Sequence, residues 1–193
     1  MHAIAICGSP RKEGNTETLL RHCLDVLARF GVPGELVTLR DKTVRGCRAC
    51  GTCARLKDKT CATKDDDFHV VFEAMLQADI IVVGSPVYFG SAAPELVALL
   101  DRAGYVSRQC GNLMSRKLGG PIAVARRAGH NFTYAQLLYW YMINDMVVPG
   151  STYWNVALAR EAGEVKSDRE AFATIDRFAE NLAWLAHRLA PAP

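Results

Sequence analysis

Residues 3–30, AIAICGSPRKEGNTETLLRHCLDVLARF, decide the fold class of this chain. They begin with a short apolar run at 3–7, the pattern of a strand that is covered on both faces. A Gly-Ser-Pro turn follows, and at 16–30 the apolar side chains recur at helical spacing until Gly31 ends the helix. Strand, turn and helix in direct succession predict the first unit of a parallel α/β sheet.

The same alternation continues along the rest of the chain. Further strands are predicted at 35–39, 79–83 and 121–125, and a fifth strand begins at 147–148. Helices are predicted at 94–100, at 131–146 and, with clean amphipathic spacing, at 172–189. Five strands that alternate with helices predict a single domain over residues 1–193, built on a doubly wound parallel sheet with helices on both faces. In such sheets ligands bind beyond the carboxyl ends of the strands.

Composition and charge exclude several classes of protein. Of 193 residues, 50% are hydrophobic and 22% are charged, which is typical of a folded core and not of a disordered chain. The net charge of +3 is too small to predict a nucleic-acid or membrane surface. The longest apolar run, at 137–143, is far shorter than the roughly 18 residues that a membrane-spanning helix needs. Because the N-terminus lacks the pattern of an export signal, we expect a cytoplasmic protein.

The turn after the first strand is a candidate anion-binding loop. GSPRKEGNT, at 8–16, leads into a helix whose first turn offers free N–H groups and the positive end of the helix dipole. Arg11 adds a cation, and the spacing matches neither a Walker loop nor GxGxxG, so a single phosphate is the favoured ligand. GSPVYFG, at 84–90, repeats the Gly-Ser-Pro turn after the third strand and adds Tyr88 and Phe89, which suit a flat ring system.

Cysteine is the unusual component of this sequence. The chain has seven cysteines, an odd number that argues against a disulfide framework, and the connection that contains four of them, at about 42–64, is unusually long. A CxxCxxC run followed by a further cysteine can wrap thiolates around one inorganic core, and the tight triple favours an iron–sulfur cluster over zinc. The candidate metal ligands are Cys47, Cys50, Cys53 and Cys61. The other three cysteines are expected to be packing residues.

Taken together, GSPRKEGNT, GSPVYFG and ARRAGHN at 125–131 resemble the flavin-binding loops of the NADPH-dependent FMN reductases, and the cysteines resemble those of the iron–sulfur flavoproteins within that family. The resemblance implies a flavodoxin-like fold with five parallel strands in three α/β/α layers, FMN and a 4Fe-4S cluster as cofactors, and a homodimer or homotetramer. It implies that the FMN phosphate is held by Ser9, Arg11, Asn15 and Thr16. The residues implied to border the ribityl chain and ring are Pro86, Val87, Tyr88, Phe89, Gly90, Arg126, Arg127 and Gly129.

The function that the resemblance implies is an FMN-dependent oxidoreductase in which FMN and the cluster exchange electrons. The donor would be NAD(P)H or ferredoxin. Because the cofactors carry the chemistry, no side chain is expected to act as nucleophile or general base. Two other functions stay open. One is a cluster-free NAD(P)H-dependent FMN, quinone or azo reductase, and the other is a zinc-stabilised flavin-binding module without enzymatic activity.

Overall fold

In the computed structural model, which describes residues 1–189, five parallel strands form one sheet in the order β2-β1-β3-β4-β5. The predicted doubly wound parallel sheet is therefore confirmed, and residues 190–193 of the predicted domain lie outside the described part. The strands are β1 Ala3–Cys7, β2 Gly34–Thr38, β3 Ile80–Pro86, β4 Leu118–Ala125 and β5 Val156–Leu158. The helices are α1 Asn15–Arg29, α2 Thr52–Leu56, α3 Phe68–Gln77, α4 Pro94–Gln109, α5 His130–Ile143 and α6 Arg169–Leu189, with a 3-10 turn at Glu164–Ser167.

The sheet is covered on both faces, and the residues of β1 show how. Ala3, Ala5 and Cys7 belong to the core formed with α1 and α6, whereas Ile4 and Ile6 belong to the core formed with α3, α4 and α5. Every residue of this central strand is fully buried, as expected for a strand between two helical layers. The packing role expected of the three cysteines outside the 42–64 loop is confirmed, since they lie in or against these cores: Cys7, Cys23 and Cys110.

The fifth strand lies elsewhere than the sequence pattern predicts. Val147 makes only an isolated bridge to Leu118, and β5 is the three-residue segment Val156–Leu158, which pairs with the end of β4. A strand this short has no period that a sequence pattern can reveal.

Helix α4 also runs to Gln109, beyond the predicted end at residue 100. Its later turns bury Arg102 and Ser107, whose polar side chains interrupt the apolar pattern.

A tyrosine from α5 forms hydrogen bonds with two neighbouring strands near the centre of the sheet. Pro121 in β4 has no N–H to donate to the neighbouring β3, and the Tyr141 hydroxyl lies against both strands. This hydroxyl accepts a hydrogen bond from the Val83 N–H at 3.1 Å and faces the carbonyl oxygens of Ile81 and Gly120 at 3.0 and 2.9 Å. Tyr141 is fully buried, so no water can replace these contacts in the dry core.

Among residues 1–189, no helix is long and apolar enough to cross a membrane.

We expect Tyr141→Phe to lower the free energy of unfolding by about 1–3 kcal/mol, because it leaves the buried N–H of Val83 without its acceptor. Urea denaturation followed by circular dichroism measures this change. Tyr139→Phe on the same helix is the matched control, because its side chain is 70% exposed. Equal stabilities of the two variants would contradict the role given to Tyr141.

Candidate functional site

A cavity of about 340 Å³ opens at the carboxyl edge of the sheet, between the loops that follow β1, β3, β4 and β5. Three arginines and one glutamate are part of its lining, which gives it an excess of positive charge suited to an anionic ligand. The lining residues are Ser9, Arg11, Asn15, Thr16, Pro86, Val87, Tyr88, Val124, Arg126, Ala159, Arg160 and Glu161. All four predicted phosphate-loop residues and four of the predicted ring-side residues therefore line one cavity.

The first turn of α1 carries no side-chain cap. Its N-cap is Gly14, so neither Asn15 nor Thr16 caps the helix, and no side chain accepts a hydrogen bond at the cap. Free N–H groups at a helix start attract anions, and the dipole adds to this attraction. Ser9 and Thr16 are both buried at this point, and the Ser9 hydroxyl accepts a hydrogen bond from the Arg11 N–H at 3.3 Å. The loop has the features of a phosphate cradle.

Two residues of this loop also hold the segment after β5. The Arg11 guanidinium donates to the carbonyl oxygen of Arg160 at 3.0 Å, and the Asn15 amide donates to that of Glu161 at 2.8 Å. The Asn15 side-chain oxygen accepts from the Val165 N–H at 3.3 Å. Asn15 is therefore a link between two loops as well as part of the cavity wall.

Four of the predicted ring-side residues do not line this cavity. The Phe89 side chain is fully exposed and Arg127 lies on the surface, while Gly90 and Gly129 form a close contact beside the cavity loop. A Cβ on Gly129 would lie 3.1 Å from the Val87 side chain and 3.2 Å from the Gly90 Cα, and its φ of +88° favours glycine. Of the two arginines considered for the ring, Arg126 is the one that lines the cavity.

The sequence pattern did not reveal the contribution of the loop after β5. Ala159, Arg160 and Glu161 line the cavity, as does Val124 at the end of β4. A usable signal existed, since ligands bind beyond the carboxyl ends of parallel strands. The sequence pattern places the fifth strand at 147–148, so it predicts no ligand-binding residues in the segment that follows β5.

A buried carboxylate behind the phosphate loop holds its backbone in place. The side chain of Glu17 is 3% exposed and accepts hydrogen bonds from Arg21 at 2.8 Å and from Arg40 at 3.2 Å. It also accepts from the N–H of Glu13 at 3.0 Å, a loop residue with a left-handed φ of 52°. Burial alone would raise the pKa of Glu17, but these donors outweigh it and lower the pKa below its ordinary value.

The four clustered cysteines line a second, much smaller cavity. Cys47 and Cys50 are exposed, Cys61 is half-buried and Cys53, in α2, is buried. Hydrogen bonds from the side chain and backbone of Thr52 lower the pKa of Cys50, whereas burial raises that of Cys53. Among residues 1–189, no group of three or more His, Cys, Asp or Glu side chains is close enough together to hold a single metal ion.

Polar residues on α3 and α4 support this cysteine loop from behind. Arg102 is 1% exposed and forms an ion pair with Asp66, which is fully buried. His69 on α3 contacts the end of the loop, with its Nε2 3.0 Å from the Cys61 carbonyl oxygen and 3.2 Å from that of Thr63.

Three aspartates at 65–67 precede α3 and hold the start of the cysteine loop. Asp67 accepts from the Thr43 N–H at 2.7 Å, Asp66 accepts from the Arg45 N–H at 3.0 Å, and Asp65 forms an ion pair with the Arg45 side chain. At the start of α3, Asp66 also accepts a hydrogen bond from the Phe68 N–H at 3.3 Å. The other contacts join residues 43–45 to residues 65–67, two segments that meet only in the folded chain. The pattern of either segment alone does not reveal them.

A doubly wound parallel sheet, with an uncapped helix start and a basic cavity at its carboxyl edge, defines a flavodoxin-like protein with a site for a phosphate-bearing cofactor. The chain belongs to the NADPH-dependent FMN reductase family, whose family model matches residues 1–161. By class it is an FMN-binding oxidoreductase.

Curated relatives are similar over nearly the whole chain. An iron–sulfur flavoprotein of Methanocaldococcus jannaschii is 32% identical over 95% of this chain and 96% of its own length. An iron–sulfur flavoprotein of Archaeoglobus fulgidus is 33% identical over 93% of this chain and 96% of its own length.

Solved structures share the fold at low sequence identity. RosB with a bound 8-demethyl-8-formylriboflavin-5'-phosphate intermediate superposes with a TM-score of 0.77 at 17% identity, covering 98% of this chain and 80% of that one. The NADH:FMN oxidoreductase EMOB in its apo form has a TM-score of 0.66 at 18% identity, covering 100% of this chain and 91% of that one. These likenesses confirm the flavodoxin-like fold.

We expect Glu17→Gln to lower the free energy of unfolding at pH 7 by about 1.5–3 kcal/mol, because it weakens charge-assisted hydrogen bonds to two arginines and to the loop backbone. The folded-state pKa of Glu17 is lowered, so its contribution is complete above the unfolded value of 4.5 and is lost as the pH falls through the folded value. The difference between wild type and variant therefore narrows in acid.

Urea denaturation at a series of pH values measures this difference. Glu13→Gln is the matched control, since Glu13 is exposed and its side chain makes no hydrogen bond or ion pair within residues 1–189. A difference that grew as the pH fell would show that the Glu17 carboxylate does not stabilise the loop.

Proposed function

We propose that the protein is an FMN-dependent oxidoreductase in which FMN, bound at the carboxyl edge of the sheet, exchanges electrons with a 4Fe-4S cluster bound by the cysteine loop. The observation that carries the proposal is that four cysteine side chains share one cavity in a chain of an FMN reductase family. Both curated relatives described above are named iron–sulfur flavoproteins, which supports it.

The charge of the cavity at the carboxyl edge suits FMN, whose phosphate is anionic. The FMN phosphate would be held by the uncapped start of α1 together with Ser9, Arg11, Asn15 and Thr16. Pro86, Val87 and Tyr88 would border the ribityl chain and ring, with Phe89 and Gly90 at the outer side of the same turn. Arg126 would stabilise negative charge on the reduced ring, with Arg127 and Gly129 beside it.

The spacing of the cysteines favours a polynuclear cluster over a single ion. Cys47, Cys50 and Cys53 form a tight CxxCxxC run of the kind that ligates iron–sulfur clusters, whereas a structural zinc site more often uses two separate pairs of cysteines. In this structure these three cysteines and Cys61 line one cavity. The zinc-stabilised, non-enzymatic module is therefore the less favoured function.

FMN can exchange two electrons or one, and a 4Fe-4S cluster exchanges one, so together they connect hydride donors to single-electron carriers. The protein's part is to bind, orient and electrostatically tune the two groups. We propose NAD(P)H or ferredoxin as the donor, since the flavin turn at Tyr88 and Phe89 is open to solvent. No side chain is assigned as nucleophile or general base.

A cluster-free NAD(P)H-dependent reductase is the second candidate function. The family model that matches the chain is described as an NADPH-dependent FMN reductase, a description that names no cluster. The flavin cavity would then be sufficient for activity on FMN, a quinone or an azo compound.

Helix α5 supports assembly into a homodimer or homotetramer. Leu137, Trp140 and Tyr141 are buried against the chain's own sheet, while the outer face of the same helix exposes large apolar side chains. An exposed apolar surface of this kind is typical of subunit interfaces. The exposed residues are Phe132, Tyr139, Met142 and Ile143.

We expect Arg11→Ala to weaken FMN binding about tenfold or more while changing riboflavin binding much less, because only FMN carries the phosphate that Arg11 would contact. Fluorescence titration of the apoprotein with each flavin measures the two affinities. Lys12→Ala is the matched control, because Lys12 is the adjacent cation and does not line the flavin cavity. Equal weakening for both flavins would reject the phosphate role of Arg11.

We expect the anaerobically reconstituted wild type to contain about four iron and four sulfide per chain beside FMN, and Cys47→Ser to lose most of that iron and retain FMN. Iron, sulfide, zinc and flavin analyses with the visible spectrum measure this. Cys110→Ser, a packing cysteine outside the loop, is the matched control and should keep its iron. A wild type with FMN but no iron after reconstitution would favour the cluster-free reductase.

A further inference from the structure

The cavity lined by the four cysteines has one fully buried cation in its wall. Arg102 from α4 lines it together with Tyr105 and Val106 of the next turn, and the Arg102 side chain is 1% exposed. An arginine guanidinium stays protonated at every accessible pH, so this is a permanent positive charge. This charge and the Cys61 side chain line the same cavity.

The guanidinium is held rigidly by contacts on several sides. It forms an ion pair with Asp66, donates to the carbonyl oxygens of Arg45 at 3.0 Å and Thr63 at 3.2 Å, and lies 4.0 Å from the centre of the Phe68 ring. Arg45 precedes the first clustered cysteine and Thr63 follows the last one. One side chain therefore joins both ends of the cysteine loop to α4.

One donor of this arginine is unused. The Arg102 Nε–H is buried and has no hydrogen-bond partner among residues 1–189. A buried donor without a partner costs free energy unless a bound group satisfies it. Four thiols line the same cavity. A bound anionic group that contains sulfur would therefore interact with both the positive charge and the free N–H donor of Arg102.

We propose that Arg102 is a positioning residue that sets the reduction potential of the group bound by the cysteine loop, with Asp66 acting in the opposite direction. This inference rests on the proposed function, because it needs a redox group ligated by these cysteines. Reduction adds one negative charge to such a group. A buried cation stabilises that charge and raises the potential, and a buried carboxylate lowers it.

The test measures the potential of the iron–sulfur cluster in the anaerobically reconstituted full-length protein, by titration with dithionite monitored by electron paramagnetic resonance. We expect Arg102→Gln to lower the potential, Arg102→Lys to stay near wild type, and Asp66→Asn to raise it. Arg48→Gln is the matched control, because Arg48 lines the same cavity but is exposed. Its shift should be about fourfold smaller than that of Arg102→Gln, since solvent screens it.

Opposite shifts for the two members of one ion pair separate an electrostatic role from a structural one. A merely structural pair would lose iron or shift the potential in the same direction in Arg102→Gln and Asp66→Asn, and that result would overturn the inference. If Arg102→Gln fails to fold or to bind iron, the other two variants still provide a test. The reduction potential of Asp66→Asn must then be higher than that of Arg102→Lys, and equal potentials would overturn the inference.

The experiment also separates this inference from the proposed function. Suppose that the wild type binds iron and sulfide and that all Arg102 and Asp66 variants have the same reduction potential as the wild type. The electron-relay proposal would then stand, and the role given to Arg102 would be rejected. A wild type that binds no iron would overturn both. FMN content, measured in every sample, should not change because neither residue lines the flavin cavity.

Discussion

Everything functional in this protein depends on one constraint, which is that parallel strands covered on both faces must all end at the same edge of the sheet. β1 lies inside the sheet with both of its faces buried, so the loops after β1, β3, β4 and β5 all emerge at this one edge. Their backbone N–H groups and cations therefore meet at a single cavity. The chemistry of the site follows from where the strands end.

Helix α4 connects this edge to the cysteine loop. It begins at Pro94, shortly after the turn proposed to border the flavin, and Arg102 lies eight residues further on, about 12 Å along the helix axis. The same rigid element thus starts near the proposed flavin site and holds the cysteine loop at its centre. This arrangement explains why a helix in a well-packed core retains a buried arginine at a position where an aliphatic residue would pack more simply.

The carboxylates of this structure act mainly on the backbone of loops. Glu17 holds Glu13 in its left-handed conformation, and Asp66 and Asp67 hold the N–H groups of Arg45 and Thr43. Loops that bind cofactors need free polar groups facing the ligand, so their own backbone must be secured from the opposite side. Both candidate sites are built in this way.

The sequence by itself determined the parallel sheet, and it predicts the candidate phosphate loop and the four candidate metal ligands. Each of these is encoded in a contiguous stretch, as an apolar run, a Gly-Ser-Pro turn or a cysteine spacing. Only the tertiary structure decided the position of β5, the cavity-lining role of Arg160 and Glu161, and the partners of Asp66, His69 and Arg102. These depend on residues from 6 to 149 positions apart in sequence meeting in space, and short-range periodicity contains no information about such contacts.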